Sequence, residues 1–487
     1  MGNITSAVGR KLNAFSQKLA ENSLVKKIGA PSGAISAMLY FDQLPSAAEL
    51  TALLEDKLLS FDVFSSVYVN GRWAAVDVDL GKHVIQATVG SDAEMLSYVE
   101  AQMLKPLRNG TDAPLWEVHM ISNKQVALEG SIDGPRWGGR SMLLFRVEHA
   151  LGDGIALNQA LARITTDQAG KPLPAATYSR PPKTGRRSLF ALFCAILSAA
   201  FKYATAPIGP FDSDSPLVPR RALRSALKFS PRRKIVLVPE HGLNLIKRIK
   251  VAATDAAGGV AHTVNDVVFA ATVGALRRYC LSMAPTEPLE WSRMRALTPV
   301  AFPRKADAPL SNEWCFLDVP MPVGQPTPAL RLQAANKTFS AMKNGPEAPV
   351  AKFFTERNCE LPGFLFGHIG QQVMQRYSLV FSNVPGPPSA VYVCGKKLLA
   401  VQPLYPNLIM QHLCVSYNGK MYMNFVCDPD VVTAPDTLAT LYMDELRALA
   451  TLFGVDPDDH SSPAPNPKPA AADPEAKKGS GGAAEMV

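Results

Sequence analysis

The sequence predicts a layered α/β (α+β) fold divided between two halves. Three observations predict it. At 487 residues the chain is too long for one ordinary core, and length alone suggests roughly two to four lobes. Its 47% apolar and 19% charged residues are those of a folded globular protein, which excludes a mainly disordered chain, a collagen or a disulfide-stapled mini-protein. Strand-like runs alternate with helical patterns on both sides of one long proline-rich interruption.

Residues 1 to 30 read as a loosely structured or helical arm and a candidate membrane anchor. The first lobe, residues 31–167, opens with a strand over Ala34–Phe41. Ser46-x-x-Glu49 then forms a capping box for a helix through Leu59. Strands follow at Phe64–Val69 and Val84–Ala87, then a helix over Ala93–Leu107. Trp116–Ser122 and Ser141–Glu148 read as core strands and Ile155–Thr166 as a helix. Residues 168–230 break this rhythm with prolines, among them Pro172, Pro174, Pro207, Pro210 and Pro216, and form the candidate crossover. The second lobe, residues 231–454, predicts strands at Lys234–Val238, Arg295–Pro299, Phe316–Pro320, Leu379–Asn383 and Met421–Cys427. Its helices are expected over Val264–Leu281 and Asp436–Leu452. The tail, residues 455–487, is rich in Pro, Ala and Gly, lacks aromatics, and is expected to be disordered.

Fifty Lys and Arg against 42 Asp and Glu leave a charge of +8. The excess is concentrated between residues 180 and 250, where Arg186, Arg187, Lys202, Arg220, Arg221, Arg232, Arg233, Lys234 and Arg248 face only Asp212, Asp214 and Glu240. Such a strip suits membrane phosphates or the phosphates of a cofactor, or is simply a solvated surface. Nucleic acid is excluded as a partner because no aromatic platform or known reader motif accompanies the charge. The seven cysteines contain no CxxC pair, so neither a metal site nor a disulfide framework is expected, and a reducing compartment is. The longest nearly uncharged apolar run, Leu189–Phe201, is too short to span a bilayer and reads either as a buried linker helix or as a helix lying in a membrane interface. Met1-Gly2-Asn3-Ile4-Thr5-Ser6 fits the myristoylation pattern at Gly2, with Lys11, Lys18, Lys26 and Lys27 behind it; six residues also match that pattern by chance.

The sharpest local feature is Phe145-Arg146-Val147-Glu148-His149-Ala150-Leu151-Gly152-Asp153-Gly154. An apolar strand ends in a histidine, a glycine-flanked turn follows, and then an apolar helix. A neutral imidazole there can serve as a general base, with Asp153 holding the turn in shape. The bland reading is a buried histidine beside a turn aspartate, and the motif alone does not decide. Downstream, Thr263-Val264-Asn265-Asp266 starts a helix whose N-terminus suits an oxyanion or a phosphate, or is an ordinary cap. A hydrolase of the G-x-S-x-G type, a P-loop and a dinucleotide fingerprint are all missing from the sequence.

Taken in order, Pro114-Leu115-Trp116-Glu117, the HxxxDG of residues 149–154, the Asn265-Asp266 helix and Asn383-Val384-Pro385-Gly386-Pro387 resemble the bifunctional wax ester synthase/diacylglycerol acyltransferase family, of the CoA-dependent acyltransferase superfamily. The resemblance covers residues 33 to 452, with one departure: Glu148 stands where the family usually has a first histidine. It implies two lobes, each a mixed sheet with helices, and a channel between them. It implies an O-acyltransferase that takes acyl-CoA as substrate, with no cofactor and no metal, and moves the acyl group to diacylglycerol or a long-chain alcohol. His149 and Asp153 would be the catalytic pair, with Asn265 and Gly154 binding substrate. A peripheral position on the cytoplasmic face of a membrane (endoplasmic reticulum, plasma membrane or lipid droplet) is expected. Two alternatives stay open: an acyltransferase of this fold with a soluble alcohol or amine acceptor, and a catalytically silent lipid-binding protein.

Overall fold

In the computed structural model, which describes residues 9–30, 32–107, 112–125, 138–174, 188–218, 227, 229–286, 288–305 and 308–459, the N-terminal arm is two short helices. The first, α1 (Ala14–Ala20), is capped by the Asn13 side chain; the second, α2 (Ser23–Ile28), closes on Gly29 in the left-handed conformation. The strand β1 (Ala34–Phe41) follows, and the predicted capping box of Ser46 and Glu49 opens α3 (Ala47–Leu53). A hairpin, β2 (Ser66–Val69) and β3 (Arg72–Ala75), turns at Asn70-Gly71, both with positive φ. The lobe continues with α4 (Leu80–His83), β4 (Val84–Val89), α5 (Asp92–Met103), β5 (Trp116–Asn123), β6 (Ser141–Glu148) and α6 (Gly154–Ile164).

The apolar run forms α7 (Leu189–Thr205). Beyond it come β7 (Lys234–Gly242), α8 (Leu243–Ala256), α9 (Val264–Met283), β8 (Arg295–Ala301) and β9 (Trp314–Pro320). Three helices follow in a row: α10 (Pro328–Asn344), α11 (Glu347–Cys359) and α12 (Gly363–Met374). The chain closes with β10 (Leu379–Pro385), β11 (Tyr392–Val393), β12 (Lys396–Leu404), β13 (Gln411–Tyr417), β14 (Lys420–Cys427) and α13 (Thr437–Leu452).

The strands form two six-stranded mixed sheets, ordered β11-β12-β1-β6-β5-β4 and β7-β14-β13-β10-β8-β9. In the first, β4 and β5 are parallel and the other pairs antiparallel; in the second, β10 runs parallel to both β13 and β8. The two-lobed α/β expectation therefore holds. The lobes in space are not the lobes in sequence, however. Residues 392–404 leave the second half and pair with β1, joining Met38 to Gln402 and Leu39 to Val401. This exchange ties the halves together through backbone hydrogen bonds as well as side-chain packing.

Each sheet has its own core. Trp116 is fully buried against Phe64, His83 and Phe145, and its indole N–H donates to the Phe64 carbonyl at 2.9 Å, which fits a packing role. In the second lobe α9 is buried along most of its length against α10, α13 and the sheet. The strand expected from Phe64 begins at Ser66, because Phe64 lies in a short 3-10 turn.

Gly2, Arg186, Arg187, Arg220, Arg221 and residues 460–487 of the tail lie outside the described residues. Within them, much of the basic strip is paired with acids: Arg232 with Asp430, Arg233 with Asp428, Lys234 with Glu100 and Arg248 with Asp459. Among the described residues, no helix is long and apolar enough to cross a membrane.

Candidate active site

β6 delivers its last residue, Glu148, to the edge of the first lobe, and the chain turns at once into a single 3-10 turn, His149–Leu151. Gly152 is required at the bend, since a Cβ there would fall 2.6 Å from that of Ala156. Asp153 then caps α6, its Oδ1 accepting from the backbone N–H groups of Ile155 and Ala156 at 3.1 and 3.0 Å. Its other oxygen leaves the lobe. It accepts from the Glu313 backbone N–H at 2.9 Å and pairs with the Arg304 guanidinium, both on the loop between β8 and β9. Both side chains of this pair are almost fully buried. The aspartate thus links the HxxxDG turn to the β8–β9 loop of the second lobe.

The half-buried His149 ring lies 5.4 Å from that of Trp314 and meets Tyr405 edge-on at 5.8 Å. Its Nδ1 is 3.0 Å from Asn312 Oδ1. The same oxygen accepts from Trp314 Nε1 at 3.1 Å. An indole nitrogen can only donate, so the Asn312 atom facing it must be the carbonyl oxygen. That oxygen in turn obliges Nδ1 of His149 to carry its proton. The Asn312 Nδ2 group donates to the His149 carbonyl at 2.7 Å and to the Ser16 hydroxyl at 3.1 Å, so all four amide positions are used. The consequence is a neutral imidazole with its lone pair on Nε2, and among the described residues no hydrogen bond occupies that atom.

Burial lowers the His149 pKa below its ordinary 6.5, overcoming the opposing pull of Asp153 and Asn312. Proton-nitrogen NMR of the imidazole is therefore expected to find the proton on Nδ1 and a titration midpoint below 6.5. A midpoint above that value, or an Nε2–H tautomer, would contradict the geometry.

Glu148 is buried beside the arm. It accepts from the Ser32 hydroxyl at 3.0 Å, and burial raises its pKa. It also packs against Gly33, where an added Cβ would lie 3.2 Å from its Oε2. The arm also reaches the site. Phe15 lies 4.9 Å from the Trp314 ring, and Asn13 Nδ2 donates to the Asn312 carbonyl at 2.9 Å.

The other motif residues gather at the N-termini of α6 and α9. Asn265, half-buried in the first turn of α9, accepts through Oδ1 from Asn383 Nδ2 at 3.2 Å. Asp266 closes a capping box with Thr263 and accepts from Asn336 at 2.9 Å, a structural task. The strand end carrying Asn383 runs on past Gly154, whose built Cβ would lie 3.7 Å from Val384, and the Pro385 carbonyl accepts from Asn158 at 3.1 Å. Three of the four sequence motifs therefore meet around α6. Among the described residues no hydrogen bond joins Asn265 to His149. Asn312, Trp314, Arg304, Tyr405 and Ser16 were not anticipated from sequence. Among the described residues, no group of three or more His, Cys, Asp or Glu side chains is placed to hold a metal ion.

Residues 310–450, which include Asn312 and Trp314, match the family model described as the WS/DGAT C-terminal domain. A relative from Mycobacterium tuberculosis strain CDC 1551, named as a diacylglycerol O-acyltransferase, is 26% identical over 351 residues. That alignment covers 66% of this chain and 64%, just under two thirds, of the relative. Another, "Probable diacyglycerol O-acyltransferase tgs1" from strain H37Rv, is 23% identical over 415 residues, covering 81% of this chain and 84% of its own. The solved wax ester synthase/diacylglycerol acyltransferase of Marinobacter aquaeolei VT8 superposes with a TM-score of 0.57 at 20% identity, over 92% of this chain and all of that one. Motif order, the match over residues 310–450 and the two-lobed fold agree in what this chain is similar to, the wax ester synthase/diacylglycerol acyltransferase (WS/DGAT) family.

Proposed function

We propose that the protein transfers a fatty acyl group from acyl-CoA to a lipid hydroxyl, that of diacylglycerol or of a long-chain alcohol, with His149 as general base. The observation that carries this reading is the Asn312 bridge, which protonates Nδ1 and leaves Nε2 as an acceptor. In the reaction, Nε2 takes the proton of the acceptor hydroxyl as its oxygen bonds to the thioester carbonyl carbon. The tetrahedral adduct then collapses, the carbon–sulfur bond breaks, and the thiolate of CoA recovers the proton from His149. Asp153 acts through the turn it fixes. Asn265 and Gly154 are assigned to the substrate channel, and the first turn of α9 supplies N–H donors of the kind an oxyanion needs. Both expected acceptors reside in lipid, so the reading includes peripheral work at the cytoplasmic face of a membrane.

The test is to incubate the protein with labelled palmitoyl-CoA and either dioleoylglycerol or hexadecanol. Labelled triacylglycerol or wax ester is expected, and the ratio of the two identifies the acceptor. If folded protein gives product with neither acceptor, the reading fails and a silent lipid binder takes its place.

Asn312 has a prediction of its own. Asn312→Asp keeps an acceptor for Nδ1 but sets a carboxylate beside it, which favours imidazolium. The acid limb of the kcat/KM profile is expected to move up in pH relative to the unsubstituted protein. Asn312→Leu removes the acceptor, and kcat should fall roughly 10²-fold with little change in KM. An unmoved pH limb would reduce Asn312 to a packing residue.

A further inference from the structure

We infer that α7 is a lipid-docking helix, which seats the protein on the surface of a bilayer without crossing it. The helix is built inside out. At about 100° per residue, Leu189, Phe190, Phe193, Ile196, Leu197 and Phe201 fall within an arc of about 140° on one side. That side faces out: Leu189 is 85% exposed, Phe190 77% and Phe201 73%. The opposite side carries Ala195, Ala199 and Lys202, and it is this side that meets the body, with Ala199 only 3% exposed. A helix of a water-soluble surface would bury its phenylalanines and expose its alanines. Between Leu189 and Phe201 there is no charged residue.

The root of the helix is firm. Lys202 donates to the Asp318 carbonyl at 3.2 Å and pairs with Asp318 and Glu347, and α7 packs against α11. The outward face is thus turned away from the side by which the helix is attached. Beyond the helix the exposed apolar surface continues to Ile208 and Phe211.

A second copy of the chain is a poorer occupant. A protein partner needs about one hydrogen bond per 100–200 Å² of interface, and between Leu189 and Phe201 only Cys194 and Ser198 carry a polar side-chain atom. A lipid interface makes no such demand and accepts an uncharged face as it is. This inference deepens the membrane part of the proposed function, and binding can be read without turnover.

The experiment is flotation of the whole chain with dioleoylphosphatidylcholine vesicles. The unsubstituted protein is expected to float, and so is His149→Ala, which separates docking from catalysis. Phe190→Glu with Phe193→Glu should lower the partition coefficient by about 100-fold or more, since each lost aromatic anchor is worth about tenfold or more. Both substitutions lie on exposed positions, so circular dichroism and melting should be unchanged. Phe364→Glu, an exposed apolar position on α12, serves as the control and should float. Failure of the unsubstituted protein to float, or undiminished flotation of the double variant, would overturn the inference. A dimer in sedimentation that the double variant dissociates without any change in flotation would overturn it in favour of self-association.

Discussion

His149→Ala is expected to lower kcat by about 10²–10⁴-fold while leaving the fold and acyl-CoA binding intact. The direction follows from the bridge to Asn312. It commits Nδ1 as a donor and leaves the Nε2 lone pair as the only basic atom of this side chain. The ring is only half-buried and its bonds run to one side chain, so alanine leaves a small gap and not a broken core. Asn312 would still reach the backbone carbonyl of residue 149, Ser16 and Trp314. The measurement is steady-state transfer from labelled palmitoyl-CoA beside a melting curve. Activity within a few-fold of the unsubstituted protein would mean that the base lies elsewhere.

The second large effect concerns stability. Asp153→Ala removes the cap of α6 and strands the buried Arg304 guanidinium without its carboxylate. Removing one partner of a buried pair costs about 3–5 kcal/mol, because the surviving charge stays desolvated. Urea unfolding of the variant should show a loss of that size. Asp153→Asn, which keeps the cap acceptor, should lose less. A loss below about 1 kcal/mol for alanine would show that Arg304 finds water and that the two lobes are not clamped here. Activity should fall in both variants, since Asp153 and Asn312 together hold the turn bearing His149 to the β8–β9 loop.

What could be seen in the sequence divides along contact distance. The strand at Ser141–Glu148 and the helix from Val264 were legible because their apolar patterns and caps are local. The helix α10 was not, although Thr327-Pro328 is a serviceable start signal. Its apolar stripe is interrupted by Arg331 and Asn336, which are buried only because Glu445 and Asp266, far along the chain, pair with them. The exchanged strand β12 was invisible for a related reason. Its partner β1 lies more than 350 residues earlier, and no short-range pattern encodes that pairing.

The site divides the same way. His149, Asp153 and Gly154 sit in one turn and were readable together. Asn312, 163 residues from the histidine it orients, precedes a strand in an irregular loop and carries no local signature. The arm was underestimated for lack of periodicity. Its short helices nonetheless bring Ser16 and Phe15 onto Asn312 and Trp314.

The central claim is direct transfer from thioester to hydroxyl with His149 as base. The most direct test mixes the protein with labelled palmitoyl-CoA, first alone and then with dioleoylglycerol or hexadecanol, and follows free CoA, ester and protein-bound label together. The account predicts no label on the protein and no CoA release until the acceptor is added, then one CoA per ester formed, with both lost in His149→Ala. Acyl label fixed to the protein before the acceptor arrives, or equal ester from the alanine variant, would contradict it.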